Sequence, residues 1–346
     1  MTTESLLPLL QTYYAQAFPD RVHPQIDRLT CLNNGWESDV YRFRVEWGVA
    51  PARQSEDLIL RIYPGADAVE KSAREFRALS LLRKMGYPVP RVDHHEPSTS
   101  PFGHPFLIME AVPGRSMWQP MFHALPWDQR RRLRQFCALF ARLHALDWRP
   151  YVPHPEAFEP GDDYSVTERE LSLWRPIFEA IPIAGFQSNL QWITAHQRDV
   201  PSSRASLIHW DFHPNNILLQ EGGKAVVIDW TSLDISDYRF DLAWTIMLIT
   251  SFEGDRWRKT ILREYERQAG HRVEDMEFFD ACAGVRRLYS VAVSLAYGAD
   301  KLGMRPGAEE IMRGQAHALG RIYHHLIAIT GQAIPEIEQF LTASGA

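Results

Sequence analysis

Apolar residues recur at two kinds of spacing along the chain. Residues 5–17 and several long stretches beyond residue 127 repeat them every three or four positions, which predicts amphipathic helices. Between these, short apolar runs predict strands at 28–32, 40–45 and 57–63, and the run 105–114 predicts a buried strand that leads into a turn. A helix is predicted at 68–85, before Gly86. The predicted later helices are 127–146, 166–180, 185–196, 238–249, 255–268, 273–297 and 308–330. A strand-rich first third thus precedes a helical remainder.

One short region interrupts the helices with a different pattern. Apolar runs at 217–219 and 225–228 are joined by Gln220-Glu221-Gly222-Gly223, which predicts a β-hairpin. Asp211 and Asn216 precede its first strand, and Asp229 follows its second. We therefore expect the hairpin to hold these three polar side chains close together.

Two carboxylates and an amide suit phosphoryl transfer from ATP. One carboxylate orients the attacking hydroxyl and accepts its proton, while the other carboxylate and the amide oxygen hold Mg²⁺. The spacing of His209, Asp211 and Asn216, with Asp229 after a hairpin, matches the kinase order of a catalytic loop followed by a metal aspartate. The hypothesis is Asp211 as the catalytic base, with Asn216 and Asp229 as metal ligands.

The same region resembles the aminoglycoside phosphotransferase and choline-kinase-like family. Trp210 stands where that family usually has glycine. The matching residues are His209, Asp211, His213, Pro214, Asn216, Asp229 and Trp230. The resemblance implies an α+β, two-lobed protein-kinase-like fold, with a small antiparallel β-sheet lobe, a larger mostly α-helical lobe and ATP in the cleft. It implies ATP and Mg²⁺ as cofactors and a small-molecule hydroxyl as the phosphate acceptor.

Three alternatives remain open from the residues alone. The alternation of His209, Asp211 and His213 would also suit a metallohydrolase site. A polar turn in which Asp and Asn cap backbone groups is a second possibility. The third is a pseudokinase or scaffold that binds a nucleotide without transferring phosphate, and the unusual Trp210 and Arg61 keep it open.

Residues earlier in the chain are predicted to bind the nucleotide. Gly35 and Ser38 lie in a polar turn between two predicted strands, where backbone N–H groups can cover phosphates. The resemblance places Arg61 where kinases carry a phosphate-binding lysine, and Glu75 where a helix glutamate pairs with that cation. No phosphate-binding G-x-x-x-x-G-K-[ST] motif occurs, which disfavours a P-loop NTPase.

The run 105–114 resembles the hinge of the same family. Its backbone from Glu110 to Val112 would bond adenine, and the predicted domains are residues 1–111, the nucleotide-binding lobe, and 112–346, the helical catalytic and acceptor-binding lobe. Further along, Asp241 is expected to cap a helix and brace the catalytic loop. His144 is expected to be a buried structural histidine.

The composition indicates which partners and which cellular compartment to expect. The formal charge of −6 disfavours nucleic-acid binding, which requires a basic surface. The cysteines, Cys31, Cys137 and Cys282, have no pairing or metal-ligand spacing, which favours a reducing compartment. With no secretory pattern and no apolar run of spanning length, the sequence predicts a cytoplasmic protein without membrane contact.

Overall fold

A computed structural model describes residues 3–32, 38–99, 101–159, 161–202, 204–298, 301 and 308–345. The chain divides into two compact units. The first unit is Met1–Arg115 with Ile217–Ser232, and the second is Ser116–Asn216 with Leu233–Ala346. The sequence-based division between residues 111 and 112 stays a prediction.

The elements up to residue 116 alternate short strands with two helices. In chain order they are α1 (Thr3–Ala17), β1 (Gln25–Cys31), β2 (Asp39–Trp47), β3 (Gln54–Ile62), α2 (Ala68–Lys84), β4 (Val92–Glu96), β5 (Phe106–Glu110) and β6 (Arg115–Ser116). The first five strands form an antiparallel sheet in the order β1-β2-β3-β5-β4. Arg61, near the end of β3, pairs with Val40 on one side and Leu107 on the other.

The remaining elements are mainly helical. In chain order they are α3 (Trp118–Phe122), α4 (Pro126–Ala145), α5 (Ser165–Ala180), α6 (Gln187–His196), β7 (Ser206–Ile208), β8 (Ile217–Leu219), β9 (Ala225–Val227), β10 (Asp234–Ser236), α7 (Tyr238–Glu253), α8 (Arg256–Ala269), α9 (Met276–Tyr297), α10 (Ala308–Gly314), α11 (Ala316–Thr330) and α12 (Pro335–Ser344). Strands β8 and β9 form the predicted antiparallel hairpin. Its turn contains Gly222 and Gly223 at φ 78° and 83°, a backbone region that glycine adopts without steric cost. The antiparallel sheet of the first five strands and the many helices after it confirm the predicted α+β fold.

The first unit's core lies on one face of its sheet. Leu6, Leu10 and Tyr14 of α1 are fully buried there, at the spacing that places them on one side of a helix. They pack with alternate strand residues such as Phe43 and Leu58. Because every second strand residue faces the same side, β2 and β3 can supply this core and still leave polar residues on the other face.

The second unit's core includes a group of aromatic rings around Phe212, which belongs to the predicted catalytic loop at residues 209–216. Phe140 of α4 stacks on Phe212, with ring centroids 4.2 Å apart and planes 3° from parallel. Phe136 also contacts Phe212, at 5.3 Å between ring centroids. The helix predicted at 127–146 is confirmed as α4, and His144, predicted to be buried, lies on its buried face.

The C-terminal helices differ from the sequence prediction. The stretch 308–330 is two helices rather than one, because Gln315 leaves helical geometry between α10 and α11 at φ −101° and ψ 13°. Helix α12, with Pro335 in its first turn, was not predicted, and neither was the five-residue α3. Among the helices in the described ranges, none is long and apolar enough to cross a membrane.

Candidate active site

The catalytic loop follows β7 and is held by hydrogen bonds from its own backbone. The N–H groups of His209 and Trp210 donate to the two carboxylate oxygens of Asp241, at 2.6 and 2.9 Å. Asp241 lies in the first turn of α7 and is fully buried. A buried carboxylate with two such donors fixes the loop strongly, since hydrogen bonds to charged groups are stronger than neutral ones. The predicted bracing role of Asp241 is confirmed.

The predicted capping role of Asp241 is wrong by one helical turn. Asp237 is the N-cap of α7, and its Oδ1 accepts a hydrogen bond from the N–H of Arg239 at 2.8 Å. Asp241 sits inside the helix, four residues later. Asp237 therefore caps the helix, whereas Asp241, within its first turn, holds the loop.

Within this loop, Asp211 and Asn216 are direct partners. The Nδ2 of Asn216 donates to the backbone oxygen of Asp211 at 2.9 Å and to its Oδ2 at 3.1 Å. His213 Nε2 lies 3.3 Å from the same Oδ2. Burial alone would raise the pKa of Asp211, but the charge and hydrogen bond of His213, the charge of His209 and the Asn216 bond together lower this pKa to about 2. Asp211 is therefore ionised near neutral pH.

Trp210 occupies a backbone conformation that favours glycine. Its φ is 64°, which costs a non-glycine residue on the order of 1 kcal/mol or more. The guanidinium carbon of Arg286, on α9, lies 3.9 Å from the centre of a Trp210 ring and 4.9 Å from that of Trp244. Phe240 contacts Trp210 at 6.0 Å between ring centroids. These contacts pack the tryptophan at a position that, by the family resemblance, usually holds glycine.

In the first unit, Arg61 joins three side chains. Its Nε donates to Ser38 Oγ at 2.8 Å, Nη1 to Glu75 Oε1 at 2.9 Å and Nη2 to Asp229 Oδ1 at 2.8 Å. The ion pair predicted between Arg61 and Glu75 is therefore present. A guanidinium can bond three partners in different directions because its donors form a planar fork. Although burial opposes the charge, Glu75 and Asp229 raise the pKa of Arg61.

Glu75 is the most buried charged member of this group. Its side chain is 1% exposed and accepts hydrogen bonds from Arg61, from the hydroxyl of Tyr63 and from the N–H of Trp230, the last at 3.3 Å. Burial raises the pKa of Glu75, while Arg61 opposes that change. Its three donors satisfy a carboxylate that would otherwise be very unfavourable inside the protein.

Asp229 is presented by a strained turn after β9. Its φ is 68°, and its side chain is 38% exposed although one oxygen is bound to Arg61. The next residue, Trp230, is fully buried, donates from Nε1 to the backbone oxygen of Val227 at 2.9 Å and meets the ring of Tyr87 edge-on. The buried indole anchors the turn, and the turn leaves the carboxylate of Asp229 accessible to solvent.

The structure describes only some of the other residues that are predicted to contact the nucleotide. Gly35 lies among residues 33–37, outside the described residues. Ser38 is buried and accepts from Arg61. At the predicted hinge, the N–H of Glu110 donates to the backbone oxygen of Arg91 at 2.8 Å, and Val112 lies beyond the end of β5. Contact of these residues with a nucleotide stays a prediction.

The two predicted metal ligands suit Mg²⁺ rather than a metal held by protein alone. In the described ranges, no group of three or more His, Cys, Asp or Glu side chains could hold a metal ion. Mg²⁺ does not need such a cage, because it keeps several waters and takes one or two carboxylates together with substrate phosphates. Asp229 offers a carboxylate oxygen in the first unit, and Asn216 an amide oxygen in the second.

Sequence reasoning missed the residues that support these side chains. Tyr63 and the backbone of Trp230 bind Glu75, and Arg286 stacks on Trp210. The one available signal for Arg286 is its place, with Arg287, inside the apolar run of α9. An arginine in such a run needs a buried partner, and the sequence does not say which.

The sequence comparison decides the family. Residues 28–276 match the model of the phosphotransferase enzyme family, APH. The chain belongs to this family. The matched range contains residues 209–216, the β8–β9 hairpin and Arg61.

Solved structures support an APH fold over most of the chain. A candidate aminoglycoside phosphotransferase from Ralstonia eutropha JMP134 superposes with a TM-score of 0.61 at 19% identity, covering 98% of each chain. A thermostable mutant of the aminoglycoside phosphotransferase APH(4)-Ia, in a ternary complex with ADP and hygromycin B, gives a TM-score of 0.55 at 17% identity, covering 92% of this chain and 97% of that one. At such identities the likeness shows the fold alone.

A curated relative places similar residues inside a much longer protein. Mouse acyl-CoA dehydrogenase family member 10 is 26% identical over 193 residues, which cover 54% of this chain and 17% of that relative. The matched stretch therefore spans well under a quarter of the length of this relative.

Proposed function

We propose that the protein transfers the γ-phosphate of ATP to a hydroxyl of a small-molecule acceptor. Asp211 orients that hydroxyl and takes its proton as the new O–P bond forms and the bond from the γ-phosphorus to the leaving ADP breaks. The low pKa of Asp211 keeps the carboxylate ionised and able to accept a hydrogen bond, as the base residue of kinases does. His213 and Asn216, which contact Asp211, fix its direction.

The remaining residues take the nucleotide roles. Asn216 and Asp229 would hold Mg²⁺, which when bound neutralises charge on the phosphates. Arg61, held by Glu75, binds the α- and β-phosphates, with Gly35 and Ser38 in the covering loop. The backbone from Glu110 to Val112 binds adenine. Among structural relatives, APH(4)-Ia is known with ADP and with AMP-PNP, which supports the choice of nucleotide.

One observation carries the proposal: Arg61 bonds Glu75 and Asp229 at the same time. A purely structural ion pair would need only the buried Glu75. The second bond directs the cation toward a half-exposed carboxylate in a strained turn, as a phosphate-binding residue next to a metal ligand requires.

The acceptor is proposed only as a small molecule that carries an alcohol group. Related structures contain hygromycin B and streptomycin, which supports a small polyhydroxylated acceptor without naming one. Fold similarity alone does not fix the acceptor. The cytoplasmic location and the lack of nucleic-acid binding remain predictions.

Two substitutions test the assignment. Asp211→Asn keeps the shape of the side chain but removes the base, and Asp229→Ala removes the proposed metal ligand. Each should lower ATP-dependent phosphorylation of an active acceptor by about 10²–10⁴-fold or more, while circular dichroism stays unchanged. Asp255→Asn, at an exposed position at the start of α8, is the matched control. Unchanged turnover in both site variants would refute these roles.

A screen of ATP consumption over an alcohol library identifies the acceptor. Stabilisation by ATP that does not depend on Mg²⁺, without turnover on any acceptor, would instead favour a nucleotide-binding pseudokinase.

A further inference from the structure

Two consecutive arginines of α9, Arg286 and Arg287, are half-buried without a carboxylate partner. In the described part of the chain neither forms an ion pair, and Arg286 donates no hydrogen bond. Its contacts are with two indole rings, those of Trp210 and Trp244. Arg287 donates from Nη2 to Oε1 of Gln315 at 3.2 Å. Because charged side chains inside a protein are normally paired, these two retain donors for a ligand.

Solvent can reach the donors of Arg286. Its Nη1 is enclosed without a partner, whereas its Nε and Nη2 are not enclosed and have no partner among the described residues. The indole rings attract the cation but do not provide the oxygen acceptors that its N–H groups require. The edge of a guanidinium is a planar fork of donors, which matches the two oxygens of a carboxylate or phosphate. Arg286 is therefore suited to bind an oxyanion.

Both arginines lie near the proposed catalytic base. Trp210, which stacks with Arg286, directly precedes Asp211 in the chain. Burial lowers the pKa of Arg286, while the charges of Glu170 and Asp211 oppose that change. Burial also lowers the pKa of Arg287, and again the charge of Asp211 opposes it. A small molecule whose hydroxyl meets Asp211 can therefore bring a second group to these arginines.

The other carboxylates near Arg286 do not occupy its donors. Asp241 accepts from backbone N–H groups of the catalytic loop. Glu170 is 4% exposed, its Oε1 accepts from Nε1 of Trp174 at 3.0 Å, and its Oε2 is enclosed. Oδ1 of Asp234 accepts from the backbone N–H of the next residue at 2.7 Å. None of the three forms an ion pair with Arg286, so its accessible donors are available to an acceptor molecule.

We propose that the acceptor carries an anionic oxygen group besides its hydroxyl. The hydroxyl meets Asp211, and the carboxylate or phosphate ester accepts hydrogen bonds from Nε and Nη2 of Arg286. Arg287 adds a second positive charge that attracts the same group. Hydroxy acids and phosphorylated alcohols form this substrate class. The inference rests on the proposed function, and it makes the two arginines specificity-determining residues because they bind a part of the acceptor that does not react.

Matched acceptors that differ in charge test this inference. Initial rates with ATP and Mg²⁺ are measured for straight-chain hydroxy acids of increasing length, for the amides of these acids and for amino alcohols. Diols and their monophosphates distinguish a phosphate ester from a carboxylate. We expect kcat/KM for the best anionic acceptor to exceed that of its neutral counterpart roughly 10- to 100-fold. Equal values, or a preference for amino alcohols, would overturn the inference.

Variants of the two arginines locate the anionic group. Arg286→Gln and Arg287→Gln should each reduce the preference, whereas Arg286→Lys should keep part of it because the charge remains. The ratio of two acceptors is compared within one variant, so a loss of folded protein affects both rates equally. Arg256→Gln is the matched control, since Arg256 is exposed on α8 and lies 5.7 Å from the centre of a Trp257 ring. An undiminished preference in both glutamine variants would place the anion elsewhere and refute the assignment.

Binding measured without turnover separates this inference from the proposed function. With AMP-PNP and Mg²⁺ present, an anionic acceptor should raise the Tm of the natural protein more than its neutral counterpart does. Arg286→Gln should lose that difference. This result, in a protein that phosphorylates no alcohol, would support the anion site and refute the proposed function. Phosphorylation of neutral or cationic alcohols without preference for anions would do the reverse.

Discussion

The catalytic loop and the Asp229 turn are supported in different ways. The loop is held through its own backbone, because the N–H groups of His209 and Trp210 bind Asp241. The Asp229 turn is held through side chains, because the indole of Trp230 is buried beside it and Arg61 links Asp229 to Glu75. Backbone donors are present whatever the residue, whereas charged side chains can be exchanged. The loop can therefore accept an unusual residue such as Trp210 as long as Asp241 is kept, while the turn depends on the side chains of its own residues and of Arg61.

Asp241→Asn should have the largest effect, because it acts on the backbone support of the loop. An asparagine keeps one acceptor oxygen and turns its NH₂ toward the second N–H donor. We expect the free energy of unfolding to fall by about 3 kcal/mol or more, with a large loss of activity. Urea denaturation and initial rates measure the two effects. A stable and fully active variant would contradict the support inferred for the loop.

Glu75→Gln should have an intermediate effect on activity. The glutamine has the same shape but loses the ion pair with Arg61, which costs about 1.5–3 kcal/mol for a charged hydrogen bond. If Arg61 binds phosphate, kcat/KM for ATP should fall about 10–100-fold. Glu70→Gln is the matched control, since Glu70 lies on the same helix in an exposed pair with Arg74. Equal effects of the two substitutions would leave the buried pair without a catalytic role.

Trp210 and Arg286 should be energetically coupled. Stacking of a guanidinium on a buried indole contributes about 1 kcal/mol. In a double-mutant cycle, Arg286→Ala should destabilise the natural protein by about that much more than it destabilises Trp210→Gly. Glycine at this position no longer needs the stack, because it adopts positive φ freely. Additive effects in urea unfolding would mean that Arg286 does not stabilise the tryptophan.

The smallest expected effect is a pH dependence that arises from His144. Burial lowers the pKa of His144, so the unfolded chain binds a proton more readily than the folded one. Stability should therefore fall as pH drops below the unfolded pKa near 6.5, by at most about 0.7 kcal/mol between pH 7 and 6 for this group. His144→Gln should remove that part of the slope. Urea unfolding at several pH values tests it, and an unchanged slope would exclude the contribution of His144.

Features that depend on local spacing are predictable from the sequence. The hairpin after Asn216 and the buried face of α4 follow from periodicity and glycine content. The pair of Arg61 and Glu75 was reached through family resemblance, because residues on β3 and α2 have no local signal of contact. Arg286 and Trp210 lie far apart in the sequence, and only the folded chain shows their stack.

Errors arose where two local signals compete. Asp237 and Asp241 are both suitable for a helix start, and nothing in the local pattern favours the first as the cap. The helical periodicity of 308–330 continues through Gln315, so a break between α10 and α11 leaves no trace in the apolar pattern.

Helix α1 has a practical consequence for shortened forms of the protein. The family match begins at residue 28, yet Leu6, Leu10 and Tyr14 of α1 are fully buried against the sheet. A protein trimmed to the matched range would expose the apolar side of β2 and β3 to water. Such uncovered sheet surfaces promote self-association, so α1 should be kept in any expression work.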